Sequence, residues 1–217
     1  MRKKIYTFSI ESKEIKHLLR ADNRLSCLIK KIGNISYELY EDYFDFMINT
    51  IIGQMLSNQA STVISNRLYL LCNNSITPNS INNLTIADLR QIGISNAKSK
   101  YILNLSEFII KNPKYFVKLN TYDDPMVINE LQKFHGIGSW SAKMYLIFVL
   151  NRMDVLPYED GAFLQSFKWL YSKKEVNKDY ILKKCSPWKP YSSLVSRYLY
   201  KALDDGFTKQ NIMKILK

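Results

Sequence analysis

LQKFHGIGSWSAKMYLIFVLNRMDVLPYED, residues Leu131–Asp160, is the stretch from which the rest of the chain is read. It holds two of the seven glycines in Gly136-Ile137-Gly138, then Trp140, an apolar run from Met144 to Leu150, and a proline turn that delivers Glu159 and Asp160. Paired glycines let the backbone turn tightly and leave N–H groups bare at the start of the next helix. Such a turn takes a phosphate without any charged side chain. An ordinary helix connection with glycine as C-cap uses the same residues. Ser139 is placed as the N-cap of the following helix, which favours the phosphate reading. Asp160 precedes an apolar helix and is placed as its N-cap, a commoner role for such a residue than catalysis. A carboxylate there can also stabilise a positive centre or orient a water.

Working outward, the periodicity predicts helices over most of the chain. Ile15, Leu18, Leu19, Leu25, Leu28 and Ile29 recur at helical spacing, interrupted at Ala21-Asp22-Asn23. Asp42–Leu56 is apolar nearly all round and so predicts a buried helix, and Ser57 is placed as N-cap of a second one ending at Cys72. Asn73–Pro78 reads as a loop. Thr85 and Asp88 form a capping-box pattern, with Asp in place of the usual Glu or Gln, opening a helix that ends at Gly93. Further helices are predicted over 96–111, 125–134, 139–150, 162–171, 180–185 and 191–203. Only the first eight residues and Ser9-Ile10-Glu11 leave room for a strand. The fold class is all-α, with about ten short helices. Leu89–Leu103 and Leu131–Leu146 are weakly alike, which suggests two related helix-turn-helix units.

Composition narrows the function classes. A formal net charge of +12 favours a polyanionic partner, although codon bias in an A+T-rich genome also raises lysine. No apolar run approaches the roughly 20 residues that span a bilayer, and the start of the chain does not read as a signal peptide. Cys27, Cys72 and Cys185 are far apart, without the spacing of a disulfide framework, zinc site or iron–sulfur site, and predict a reducing compartment. His17 and His135 suggest neither a metal pair nor a triad. Trp140 reads either as a core ring or as a base-stacking one. The aromatic turn Trp188-Lys189-Pro190-Tyr191, with Tyr198 and Tyr200 beyond it, reads either as helix packing or as a grip on a flat, electron-poor base.

Six segments, taken in order, resemble the helix-hairpin-helix DNA glycosylase superfamily, and within it the 3-methyladenine (alkylpurine) branch. They are ADNRLSCLIKKIG, DYFDFMINTIIGQMLSNQAS, LRQIGISNAKSKYI, LQKFHGIGSWSAKM, DVLPYEDGAF and WKPYSSLVSRYL, and they span about residues 14–205. The resemblance implies a compact form, without the β-rich N-terminal domain of some relatives. It implies two helical lobes, 42–152 and 1–41 with 153–217, and an active-site cleft between them.

The resemblance also assigns roles. Asp160 matches the catalytic aspartate; Gly136, Ile137, Gly138 and Ser139 match the phosphate-binding hairpin. The backbone carbonyls of Gln132, Phe134 and Ile137 would ligate a structural sodium or potassium ion. Met55, with Gln54 beside it, matches the wedge that fills the gap left by a flipped base. Trp140, Met144 and Tyr200 fall in the base pocket. Bifunctional relatives carry a nucleophilic lysine where this chain has Trp140, so base hydrolysis without strand cleavage is implied. The four-cysteine iron–sulfur motif is absent after Cys185, and no cofactor is implied for the chemistry. His135 departs from the usual proline before the hairpin, and Met144 and Tyr200 stand where some relatives place Tyr and Trp. The implied protein is a monomeric enzyme of the cytoplasm and nucleoid, or of a nucleus. It would act on alkylated bases in double-stranded DNA, away from membranes. A cluster-free glycosylase for another lesion, or a non-catalytic DNA-binding module with the same hairpin, would share much of this pattern.

Overall fold

The computed structural model describes residues 5–214. The chain begins with a strand, β1 (Ile5–Phe8), followed by α1 (Lys13–Ala21), α2 (Asn23–Ile32) and a second strand, β2 (Ile35–Glu38). The break at Ala21-Asp22-Asn23 is real, and Asp22 makes it. Its carboxylate accepts the Leu25 N–H at 2.9 Å, which caps α2 and fixes the corner. β1 and β2 pair antiparallel, Ile5 opposite Glu38 and Phe8 opposite Ile35. β2 was not expected. Four residues are too few to show an alternation distinguishable from helix ends.

Eight helices follow: α3 (Tyr43–Gly53), α4 (Asn58–Leu71), α5 (Pro78–Asn82), α6 (Ile86–Gln91), α7 (Asn96–Lys111), α8 (Tyr115–Leu119), α9 (Asp124–Leu131) and α10 (Ser139–Phe148). Most start where a small polar residue offers an oxygen to the orphan N–H groups of the first turn. Asp42, Ser57, Ser95 and Asp123 each accept such a bond. Thr85 and Asp88 close the reciprocal capping box expected of them. Thr77 and Ser80 form another, opening α5 at the end of the expected Asn73–Pro78 loop, a helix that had not been expected. α3 buries Phe46, Met47, Ile48, Ile51 and Ile52, as its all-round apolar sequence requires. Ile102 and Leu105 of α7 and Ala142, Leu146 and Ile147 of α10 are buried as well.

The last three α-helices are α11 (Gly161–Leu170), α12 (Lys178–Cys185) and α13 (Ser192–Asp204). By compactness the chain divides into Met1–Leu39 with Asn151–Lys217, and Tyr40–Leu150. The first unit therefore joins the two ends of the chain. Its core sets Ile15, Leu18, Leu25 and Leu28 of the N-terminal helices with Phe163, Phe167, Trp188 and Leu194. Fully burying side chains of this size is worth roughly 1.5–3 kcal/mol each before entropy is counted. Trp188 is completely buried, its ring edge-on to Phe163 and Phe167 at 6.4 and 6.2 Å. Tyr198 is also fully buried, and its hydroxyl donates to the Gly33 carbonyl at 2.9 Å. For both rings packing is therefore the right reading, not a grip on a base. Among the described residues no helix is long and apolar enough to cross a membrane.

Candidate active site

The hairpin between α9 and α10 is built from backbone. After Leu131 the chain tightens, Phe134 N–H donating to the Leu131 carbonyl at 3.2 Å and Ile137 N–H to the Phe134 carbonyl at 3.1 Å. Gly136 takes a φ of 86°, which side-chain-bearing residues rarely adopt. It has a second constraint that the sequence did not reveal. A Cβ at Gly136 would lie 2.1 Å from Cδ2 of Tyr101, a ring carried on α7. Ile137 is buried and pins the loop down.

Gly138 behaves differently. Its φ of −97° suits any residue, and a Cβ there would meet nothing within 4 Å. It, and not Ser139, is the N-cap of α10; Ser139 is the first helical residue. No side chain caps α10, and the residue at its N-cap is an exposed glycine. That is the form of a phosphate seat. The carbonyls of Gln132, Phe134 and Ile137 sit within this same turn. Gln132 is the C-cap of α9, where helical carbonyls run out of intrahelical donors. Three neutral oxygens fit a hard monovalent cation better than a transition metal.

The segment expected to carry the wedge ends α3. Gly53 is its last residue, and Met55 adopts a φ of 58° with its side chain wholly in solvent, 101% exposed. Gln54 was expected beside it as part of the wedge. Its amide instead turns back, donating to the Gly136 carbonyl at 2.6 Å and lying 3.1 Å from the Ser141 hydroxyl. Gln54 is a brace for the hairpin, while Met55 alone projects. On α10, Trp140 is half-buried and Met144 is buried, one turn apart and so on the same face. The neighbouring Tyr145 is directed into the core, stacked on Phe116 at 5.8 Å.

The carboxylate belongs to the other unit. The loop before α11 is fastened to the start of α13. Ser192 Oγ donates to Asp154 at 2.5 Å, Ser193 N–H donates to the Met153 carbonyl at 3.0 Å, and Val155 N–H donates to Ser193 Oγ at 2.9 Å. A turn closed by Asp160 N–H on the Pro157 carbonyl then sets Asp160 at the N-cap of α11. There its Oδ1 accepts the Phe163 N–H at 2.7 Å. Asp160 is 8% exposed. Tyr200, on α13, is its electrostatic neighbour. Burial first, and then the Asp160 charge, push the Tyr200 phenol well above its ordinary range, so it stays protonated. Arg197, one turn earlier on α13, works the other way on Tyr200. Its guanidinium lies 3.5 Å from the centre of the Tyr37 ring and is itself buried. Tyr37 donates in turn to Asn151 at 2.9 Å. Arg197 and Tyr37 were not singled out from the sequence, because their pairing spans 160 positions and leaves no local pattern.

The chain belongs to the HhH-GPD superfamily of base excision DNA repair proteins, whose family model matches residues 48–190. Among its relatives is DNA-3-methyladenine glycosylase 1 of Schizosaccharomyces pombe, 29% identical over 85% of this chain and 84% of the relative. Among solved structures, the DNA-3-methyladenine glycosidase of Bacillus halodurans is 29% identical, covering 95% of this chain and 96% of that one, with a TM-score of 0.80. The S. pombe 3-methyladenine DNA glycosylase in complex with abasic DNA is 26% identical over 89% of this chain and 97% of that one, with a TM-score of 0.82.

Proposed function

We propose that this chain is a monofunctional DNA glycosylase that hydrolyses the N-glycosidic bond of alkylated purines of the 3-methyladenine and 7-methylguanine type. The observation that carries this reading is similarity along nearly its whole length to proteins named for that activity. A base inside a duplex is out of reach, so it must be extruded, at a cost of a few kcal/mol that is smaller at a damaged pair. The hairpin amides at Gly136–Ser139 hold a backbone phosphate, and the carbonyls of Gln132, Phe134 and Ile137 would hold a sodium or potassium ion beside it. Met55 enters the stack as the base leaves, which offsets the lost stacking and kinks the DNA.

Alkylation makes the base cationic and already a good leaving group, so no strong general acid is required. Trp140 stacks on that cation, with Met144 lining the same helix face. Asp160 stabilises the oxocarbenium character that develops at the sugar and positions the water that attacks it. Its bond to the Phe163 N–H fixes the carboxylate's orientation. Tyr200, held protonated beside it, keeps a second negative charge away from the reacting sugar.

Base release from duplex DNA carrying defined methylated purines tests the assignment, with uracil and adenine mismatches as controls. Release of the methylated purines is expected; release of only the control bases would overturn it. Strand cleavage is not expected. Borohydride trapping of a covalent adduct, for example through Lys143 on α10, would overturn the monofunctional reading.

A further inference from the structure

The turn that presents Met55 is closed by a hydrogen bond of its own, from the Leu56 N–H to the Gly53 carbonyl at 3.1 Å. A non-glycine residue with positive φ costs on the order of 1–3 kcal/mol unless its surroundings impose that shape. Met55 has a φ of 58° and a side chain that packs on nothing. A further constraint comes from α7. The Lys98 ammonium donates to the Ile52 carbonyl at 2.8 Å and to the Gln54 carbonyl at 2.7 Å. These two oxygens lie at the end of α3, where the helix dipole is negative and a cation is favoured. They also bracket Gly53 and end on the residue next to Met55. The Gln54 side chain then carries the restraint to the Gly136 carbonyl at 2.6 Å. One ammonium and one amide thus tie the Met55 turn to the phosphate hairpin. A lysine serving only solubility would keep its head in water; Lys98 is half-buried, and that burial lowers its pKa.

We propose that Lys98 is a positioning residue for base extrusion: by holding the Ile52 and Gln54 carbonyls it keeps Met55 in the outward, left-handed pose from which it enters the DNA stack. This rests on the reading of Met55 as the wedge. Lys98 touches neither the base nor the sugar, and it acts through the shape of the turn.

The test is a double-mutant cycle of Lys98→Met and Met55→Ala. It reads the extrusion equilibrium with a fluorescent base analogue beside the lesion, and affinity for undamaged duplex in parallel. Lys98→Met is expected to lower extrusion about tenfold, the scale of one charged hydrogen bond, with undamaged-duplex affinity nearly unchanged. Met55→Ala is expected to lower it similarly, and the double variant no further than Met55→Ala alone. Normal extrusion in Lys98→Met, or losses that multiply in the double variant, would overturn the role of Lys98 while leaving the wedge intact. Normal extrusion in Met55→Ala would overturn the wedge reading itself. If Lys98→Met does not fold, Lys98→Gln, which keeps a donor but not the charge, takes its place in the same cycle with the same outcomes.

Discussion

Tyr101 lies against Gly136 so closely that a methyl group on that glycine would sit 2.1 Å from the ring. The glycine is therefore held by two constraints, its φ of 86° and the ring of α7. Gly138 has neither. Gly136→Ala should destabilise the fold by about 1–3 kcal/mol, seen as a lowered melting temperature, and weaken binding to undamaged duplex as well. Gly138→Ala should melt like the parent. Its affinity for undamaged duplex should still fall, because the added methyl stands where a phosphate approaches the amides of α10. Equal affinity for Gly138→Ala and the parent would remove the phosphate seat from this hairpin.

Asp160 caps α11, and substitution can separate that role from the catalytic one proposed for it. Asparagine caps a helix about as well as aspartate, whereas alanine forfeits about 0.5–2 kcal/mol. Asp160→Asn should therefore stay folded, bind DNA at least as well as the parent, and lose base release. Asp160→Ala should lose both stability and base release. Single-turnover assays on methylated duplex check this, and full activity in Asp160→Asn would refute the catalytic role.

Trp140→Ala should impair excision of cationic methylated purines more than excision of a neutral base such as hypoxanthine. The expected difference is about 0.5–2 kcal/mol, the range of a cation–π contact. Equal losses on both substrates would mean that Trp140 supplies surface only.

Alkaline pH should unfold the protein. Burial raises the phenols of Tyr115, Tyr145, Tyr171 and Tyr200, and pushes Tyr198 up to about 12. Below pH 10 folded and unfolded chains alike hold these protons. Above it the unfolded phenols ionise while the folded ones do not, so stability falls as pH rises from 10 through the folded values. The tyrosinate absorbance of these buried rings, as distinct from that of exposed ones such as Tyr40 and Tyr69, should therefore appear together with the loss of helical circular dichroism. Ionisation of these rings with the helices intact would contradict their burial.

How much of this was legible in the sequence depended on how local the cause was. Caps were readable because Ser57, Thr85 and Asp160 each act within three residues of themselves. β2 and α8 were missed because four or five residues carry too little periodicity. The hairpin glycines could be seen, but the ring that makes Gly136 obligatory could not. The same is true of Gln54, whose amide reaches 82 positions along the chain, and of Lys98, which reaches back 44 and 46. Trp188 and Tyr198 show the converse. Their aromatic clustering had two readings, and only burial in the core distinguishes them.

The unit that carries Asp160 is assembled from both ends of the chain. Tyr198 binds the Gly33 carbonyl across 165 positions, and Lys184 pairs with Asp22 across 162. The intervening unit, Tyr40–Leu150, is continuous. On a ribosome the Gln54, Lys98 and Tyr101 contacts of the hairpin and the Met55 turn can form once residue 150 has emerged. The carboxylate's surroundings must wait for α13. Closing a loop of that length is entropically slow, so the N-terminal helices spend the interval without the core that Phe163, Phe167 and Trp188 will provide. During synthesis, the unit that carries the hairpin is therefore complete before the unit that carries Asp160.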